Sequence, residues 1–352
     1  MEMNLTPEQE ERAQQLHRES IVVDSTVLHH TIIEDKFFDR MKASGVDIAF
    51  VTTNAGTYEQ TLDRLGKVLD TIHRRSDVMT PVRTAAEMRQ AKARGKVGVL
   101  IAFQDLSPIG DDLQKLRIFY ELGLRVAGLT YSGGNLIGDG CAERTREVRR
   151  LSFFGLEVVQ EMNRLGIIPD LAHTGDATSE DTLEQSAPPV VFTHSNARTL
   201  ADTTRNKPDH QIRAMAAKQG VMGVVAMPRT VCDDMSQADL PKLIDHVDYI
   251  ANLVGVDHVG VGTDFTDARE RFGNSMPSWW DAGTWRVLRP EMLGTVEDWY
   301  KYPYAKGFEN MQGWPNLTRG LVARGYSDDE IRRILGGNWV RVLEFLETRT
   351  AK

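Results

Sequence analysis

The chain has 352 residues, 41% of them hydrophobic and 26% charged, which suffices to bury one large core. Its formal net charge is -8 with both signs interleaved, so it has no basic stripe for phosphates and no like-charge tail, which argues against nucleic acid as a partner. The opening MEMNLTPEQEERAQQLH is acidic and polar where a signal peptide needs a cationic start and an apolar run, and no later stretch is apolar for long enough to cross a bilayer; a cytoplasmic chain without a membrane partner is expected.

In chain order, short apolar and β-branched runs alternate with helical stretches. The expected strands are Ile21–Asp24, Val46–Thr53, Val97–Phe103, Val126–Thr130, Ile167–His173, Val190–His194, Val221–Met227 and His258–Asp264. Helices are expected between them, as at Asp111–Leu122, Leu156–Leu165 and Asp209–Gln219, the last announced by Pro208. Strands apolar on both faces and joined through helices form parallel sheets. Eight such units predict an α/β fold of the (β/α)8-barrel type as a single domain over 1–352. No GxGxxG follows the first strand, which weighs against a Rossmann sheet.

Polar residues stand where the apolar runs end: Asp24, Gln104, Asp105, Tyr131, His173, His194 and Asp264. In a barrel all of these face the rim where active sites are built. DLAH ends at His173 and VFTH at His194; imidazoles from neighbouring strand ends converge on one zinc ion readily. Either histidine alone is more often structural, and the pair with Asp264 is what favours metal. Asp264, in VGVGTDF, is a candidate ligand or proton carrier, against the plainer role of capping backbone N–H groups. Arg205, just before a proline turn, is a candidate two-pronged clamp for a carboxylate, against a solvent-facing arginine. Gln104 offers a neutral amide oxygen where a carboxylate would suit a cation better.

Cys141 and Cys232 are expected as reduced thiols. Cys141 with Glu143 forms a minor alternative ligand pair, and the adjacent His29 and His30 are expected on an exposed loop. The long stretch from Phe265 to Pro315 contains Trp279, Trp280, Trp285, Trp299 and Trp314. Its aromatic density argues for an ordered cover over the site, with Trp279 and Trp280 as candidate substrate contacts and packing on neighbouring helices as the plainer role.

The runs LSFFGLEVVQEMNRLGIIPDLAH, VVFTHSNAR, RNKPD, VGVGTDF and GGNWVRVLE, in this order, resemble the membrane (renal) dipeptidase family of zinc peptidases over most of the chain. The resemblance implies a (β/α)8 barrel, a binuclear zinc centre, hydrolysis of dipeptides with tolerance for a C-terminal D-residue, and a homodimer. It implies that His173 and His194 serve one zinc, that Arg205 holds the substrate carboxylate, and that Asp264 is the catalytic aspartate and a ligand of the other zinc. The departures are specific. The family's His-x-Asp falls on Thr26 and Leu28, its bridging glutamate on Gln104, and its oxyanion-stabilising histidine on Tyr131.

The expectation is therefore one zinc ion per chain on His173 and His194 with Gln104, and an amidohydrolase in which activated water attacks a dipeptide or small N-acyl amino acid. In it Asp264 moves the proton, Tyr131 steadies the oxyanion and Arg205 binds a carboxylate-bearing small molecule. The alternatives are a non-hydrolytic lyase or isomerase, or a non-catalytic binder on a decayed dipeptidase scaffold.

Overall fold

A computed structural model describes residues 5–143, 149–267, 270–271, 292 and 294–350. Eight strands run β1 (Val23–Leu28), β2 (Ile48–Thr52), β3 (Met79–Pro81), β4 (Val97–Phe103), β5 (Leu124–Gly128), β6 (Ile168–Asp170), β7 (Met222–Val224) and β8 (Val259–Val261). All pair in parallel, in the order β1-β2-β4-β5-β6 and separately β7-β8. The extended segment 190–193 joins the two groups through bridges of Asp170 with Val191 and Phe192 with Met222. The ring closes where Asp264 N–H donates to the Thr26 carbonyl at 3.1 Å and the Ser25 hydroxyl donates to the Val261 carbonyl at 2.8 Å. The result is the expected (β/α)8-type barrel with helices outside.

Three details differ from the sequence expectation. The first strand lies further along, at Val23–Leu28 and not Ile21–Asp24, because Asp24, Ser25 and Thr26 are fully buried despite their polarity. Their side chains are satisfied across the closure, with partners on 190–193, on β8 and, at Thr263, just past it. The expected strand Val190–His194 makes only single bridges, and β3 is an unexpected short strand beside the lower half of β4.

Alternation decides which side chains reach the mouth. On β2, Ile48 and Phe50 join the inner cluster while Ala49 and Val51 face the helices, and on β4 Leu100 and Ala102 point in while Val99, Ile101 and Phe103 point out. Gln104 continues the inward parity of Leu100 and Ala102. The interior is pinched around the Thr193 carbonyl, where a Cβ added at Gly223 or Gly262 would come within 2.1 Å of that oxygen. At the far end Trp339, fully buried, plugs the barrel against Phe50, with ring centroids 5.4 Å apart, and against Gly260 of β8.

Among the described residues no helix is long and apolar enough to cross a membrane. Because the Trp339 plug fills the barrel floor with a whole indole, Trp339→Ala is expected to cost roughly 3–5 kcal/mol of stability, read from chemical denaturation. A loss below about 1 kcal/mol would mean that the floor is closed by other groups.

Candidate active site

The mouth is built from residues that follow the strands. His173 lies just beyond β6, and His194 directly follows the 190–193 segment; both are buried, and their Nε2 atoms lie 3.0 Å apart. Tyr131, beyond β5, stacks its ring on His173 at 4.1 Å between centroids and 24° between planes. The Ser132 hydroxyl lies 3.1 Å from His173 Nδ1. Burial, and then the positive charge of Arg205, hold both imidazoles well below the usual histidine range, so both are neutral.

Which nitrogen of His194 carries its proton follows from its neighbours. Nδ1 faces the Thr193 hydroxyl at 2.8 Å and the Thr26 hydroxyl at 3.1 Å. Each hydroxyl has one proton to give. Thr193 donates its own to Asp170 Oδ2 at 2.5 Å, and Thr26 donates to the Ser25 carbonyl at 2.7 Å. Both therefore accept from His194, which is protonated at Nδ1 and presents a bare lone pair at Nε2. That is the arrangement a metal-ligating or proton-accepting histidine needs.

Asp264 occupies a left-handed backbone corner, with φ of 50°. Three contacts hold it there. Its N–H binds Thr26, its carbonyl accepts from the Tyr304 hydroxyl at 2.9 Å, and its Oδ1 accepts from Gln104 Nε2 at 3.1 Å. Burial pushes its carboxyl up to about 6, against the pull of the Arg205 charge and the Gln104 hydrogen bond. The Tyr131 phenol is pushed above its ordinary range by burial and by the Asp264 charge, so it stays a donor.

Arg205 is 1% exposed. Its guanidinium donates to the Ala172 carbonyl and, at 3.3 Å, to the His194 carbonyl. No carboxylate among the described residues lies within ion-pair distance of it. With Gln104, Tyr131, His173 and Asp264 it lines one cavity of about 560 Å³, within the range of small-molecule sites.

The structure thus brings Gln104, Tyr131, His173, His194, Arg205 and Asp264 together at one mouth. Trp279, Trp280 and Trp285 lie outside the described residues, as does the side chain of Trp299; Trp314 is buried in the core against Phe308. Cys141 and Glu143 line a separate small cavity, where Glu143 accepts from Gly134 N–H and the Cys141 thiol meets the Met292 sulfur. The expectation of exposed His29 and His30 is corrected. Both begin a short helix, His29 half-buried on the main cavity and His30 fully buried against Asp267 at 3.3 Å, because the chain turns inward to close the mouth.

Sequence reading missed Asp170 and Thr193 as supports of His194, and Tyr304 as the support of Asp264. Asp170 and Thr193 were visible as polar residues inside apolar strand runs. Tyr304 gave no local signal.

The donor set tests whether a metal fits. Two neutral imidazoles, one fixed with its Nε2 bare, stand at a separation close to the roughly 3.3 Å expected for two nitrogens on one tetrahedral zinc. No group of three or more His, Cys, Asp or Glu side chains suited to a metal occurs among the described residues. The residues present fit a single ion held by two imidazoles and completed by an amide oxygen, water or substrate. They do not fit a two-metal centre, because neutral Thr26, Leu28 and Gln104 supply none of its charge.

A (β/α)8 barrel with paired histidines, a protonatable aspartate and a buried arginine at its C-terminal mouth defines a hydrolase-type barrel. The profile of the membrane dipeptidase family, peptidase family M19, matches residues 10–295 and 291–352, and the chain belongs to that family. It is 31% identical to a solved amidohydrolase from Pseudomonas aeruginosa, with a TM-score of 0.84 over 95% of this chain and 98% of that one. A metallopeptidase from Rhodobacter sphaeroides, solved with a phosphinate mimic of L-Ala-D-Ala, shares the fold at 22% identity and a TM-score of 0.76 over 93% of this chain and 99% of that one. The dipeptidase aclJ of Aspergillus oryzae is 30% identical over 82% of this chain and 62% of its own length. The dipeptidase tcpJ of Claviceps purpurea is 29% identical over 82% of this chain and 59% of its own. The chain thus spans about three-fifths of the length of these two curated relatives.

Two outcomes follow. In Asp170→Asn the amide nitrogen faces Thr193 and donates to it, so the Thr193 proton turns toward His194 Nδ1. Side-chain nitrogen NMR should show the His194 proton shifting from Nδ1 toward Nε2, and an unchanged tautomer would refute the relay. The second outcome concerns Asp24, whose carboxyl burial pushes up to about 7. A raised acid binds its proton more tightly when folded, so its contribution is complete below the unfolded carboxylate range and is lost as pH rises through about 7. Melting temperature should fall between pH 5 and pH 8 in the wild type and less steeply in Asp24→Asn.

Proposed function

We propose that the chain hydrolyses the amide bond of a small carboxylate-bearing substrate, a dipeptide or an N-acyl amino acid. The observation that carries this reading is Arg205: a buried guanidinium, held by carbonyls alone among the described residues, facing a cavity it shares with Asp264 and Tyr131. A planar guanidinium matches a carboxylate with two parallel hydrogen bonds, and burial makes such a pair selective.

The remaining groups divide the chemistry. Asp264 has Oδ1 engaged by Gln104, which leaves Oδ2 to take a proton from the attacking water and return it to the leaving nitrogen. With its carboxyl near 6 it is ionised at neutral pH and close enough to neutrality to give the proton back. The Tyr131 phenol, fixed by its stack on His173, donates to the oxygen that becomes negative as the amide is attacked. His173 and His194 would hold one divalent ion such as zinc, with Gln104 Oε1 as a further donor. When bound, that ion supplies Lewis acidity toward the carbonyl.

A panel of L,L and L,D dipeptides and N-acyl amino acids, assayed with metal content measured on the same protein, tests the reading. Turnover is expected, with kcat/KM rising with pH through about 6 because the ionised Asp264 is the active form. Asp264→Asn should lower turnover by about a hundredfold or more. Arg205→Lys, which keeps the charge and loses the fork, should raise KM by about tenfold or more. Absence of turnover across the panel, with and without added zinc, would leave the chain a binder on a dipeptidase scaffold.

A further inference from the structure

The cavity has cations on two sides of the barrel. Arg205 is anchored to carbonyls beyond β6 and the 190–193 segment. Arg64, on the helix Tyr58–Arg74, donates to the Asn54 carbonyl just past β2 and lines the same cavity. His29 follows β1, and Arg271 follows β8; both also line it. In the ring order β1-β2-β4-β5-β6, then 190–193, β7 and β8, the β8-β1-β2 arc lies across the mouth from β6 and 190–193. Arg64 and Arg205 therefore approach the cavity from opposing walls.

The Arg64 corner is electropositive and largely uncompensated. Asp63, the nearest acid in sequence, pairs with Lys67 at 2.7 Å, and no carboxylate among the described residues is within ion-pair distance of Arg64. Arg271 adds its charge while pairing with Glu34 at 3.4 Å. His29, on the same cavity, is driven to about 3 by burial and then by Arg64, so it is neutral and available for hydrogen bonding. Of the two aspartates on the cavity, Asp105 is turned to Ser107 and Asn135, and Asp264 to Gln104. A half-buried guanidinium with a carbonyl partner gains most from an anion brought in by a ligand.

Building on the amide-hydrolysis reading, we propose that the cavity takes a ligand with two acidic groups, one carboxylate on Arg205 and a second acidic group on Arg64 at the opposite wall. The preferred substrate is then a dipeptide or N-acyl amino acid whose N-terminal residue or acyl group ends in a carboxylate.

Matched probes isolate the second charge. Glu-Ala and Gln-Ala, in L,L and L,D forms, differ only in a carboxylate against an amide, and both are measured by calorimetric binding and by turnover. Wild type should bind Glu-Ala at least about tenfold more tightly than Gln-Ala. The ratio should collapse in Arg64→Gln and be kept in part by Arg64→Lys, with melting curves verifying that each variant is folded. Equal or weaker binding of Glu-Ala to the wild type, or an unchanged ratio in folded Arg64→Gln, overturns the proposal. Should Arg64→Gln fail to fold, the wild-type ratio and Arg64→Lys still decide it. Preferential binding of Glu-Ala without turnover would refute hydrolysis and leave the anion subsite standing; turnover without preference would do the reverse.

Discussion

Asp24 and Asp170 each reach across the barrel wall to a threonine on the neighbouring chain segment and bind both its N–H and its hydroxyl, while taking a third hydrogen bond from the backbone two residues ahead. The two clamps match atom for atom. Asp24 grips Thr263, and the next residue is Asp264; Asp170 grips Thr193, and the next residue is His194. Burying a carboxylate is expensive, and burial raises both acids. Three hydrogen bonds, two from backbone N–H groups that would otherwise be unpaired at a strand end, offset that cost. Side chains at the mouth are thus set by buried carboxyl groups that touch neither the cavity nor a ligand. The same clamps tie β1 to the chain just past β8, and β6 to the 190–193 segment, so they also join the ring where its strand pairing is thinnest.

Much of this was legible in sequence because barrel strands obey simple periodicity. Ile48, Phe50, Leu100 and Ala102 alternate with outward residues, and the same parity carries Gln104 into the mouth. The paired histidines were readable from DLAH and VFTH, where an apolar run ends on an imidazole. The first strand was misplaced because Asp24-Ser25-Thr26 looks like a strand end to any rule that equates burial with apolarity, and besides local bonds these groups need tertiary partners 168 to 239 residues away. Tyr304 is out of reach for the same reason: it supports Asp264 from 40 residues away. The exposed reading of His30 failed because its burial depends on Asp267, 237 residues away, and on the packing of the following helix, which brings Phe37 onto its ring.

The charge balance of the mouth sets what it attracts. Thr26, Leu28 and Gln104 bring no negative charge to it, while Arg64, Arg205 and Arg271 stand on the walls of the cavity. A guanidinium fixed in a partly enclosed site acts on an anion with less screening than one at the open surface. The walls of the cavity thus offer anions fixed cationic donors, and the geometry of those donors is set by backbone carbonyls.

Thr26 ties the seam of the barrel to the site on both sides. Its hydroxyl accepts from His194 Nδ1 and its backbone carbonyl accepts the N–H of Asp264. The two contacts differ in kind: the one to Asp264 belongs to the backbone and tolerates any side chain at this position, whereas the one to His194 needs a hydroxyl. The tautomer of one imidazole and the seating of one carboxylate thus hang on a single residue, which acts as a hinge pin between the proton-bearing and the proton-accepting halves of the mouth.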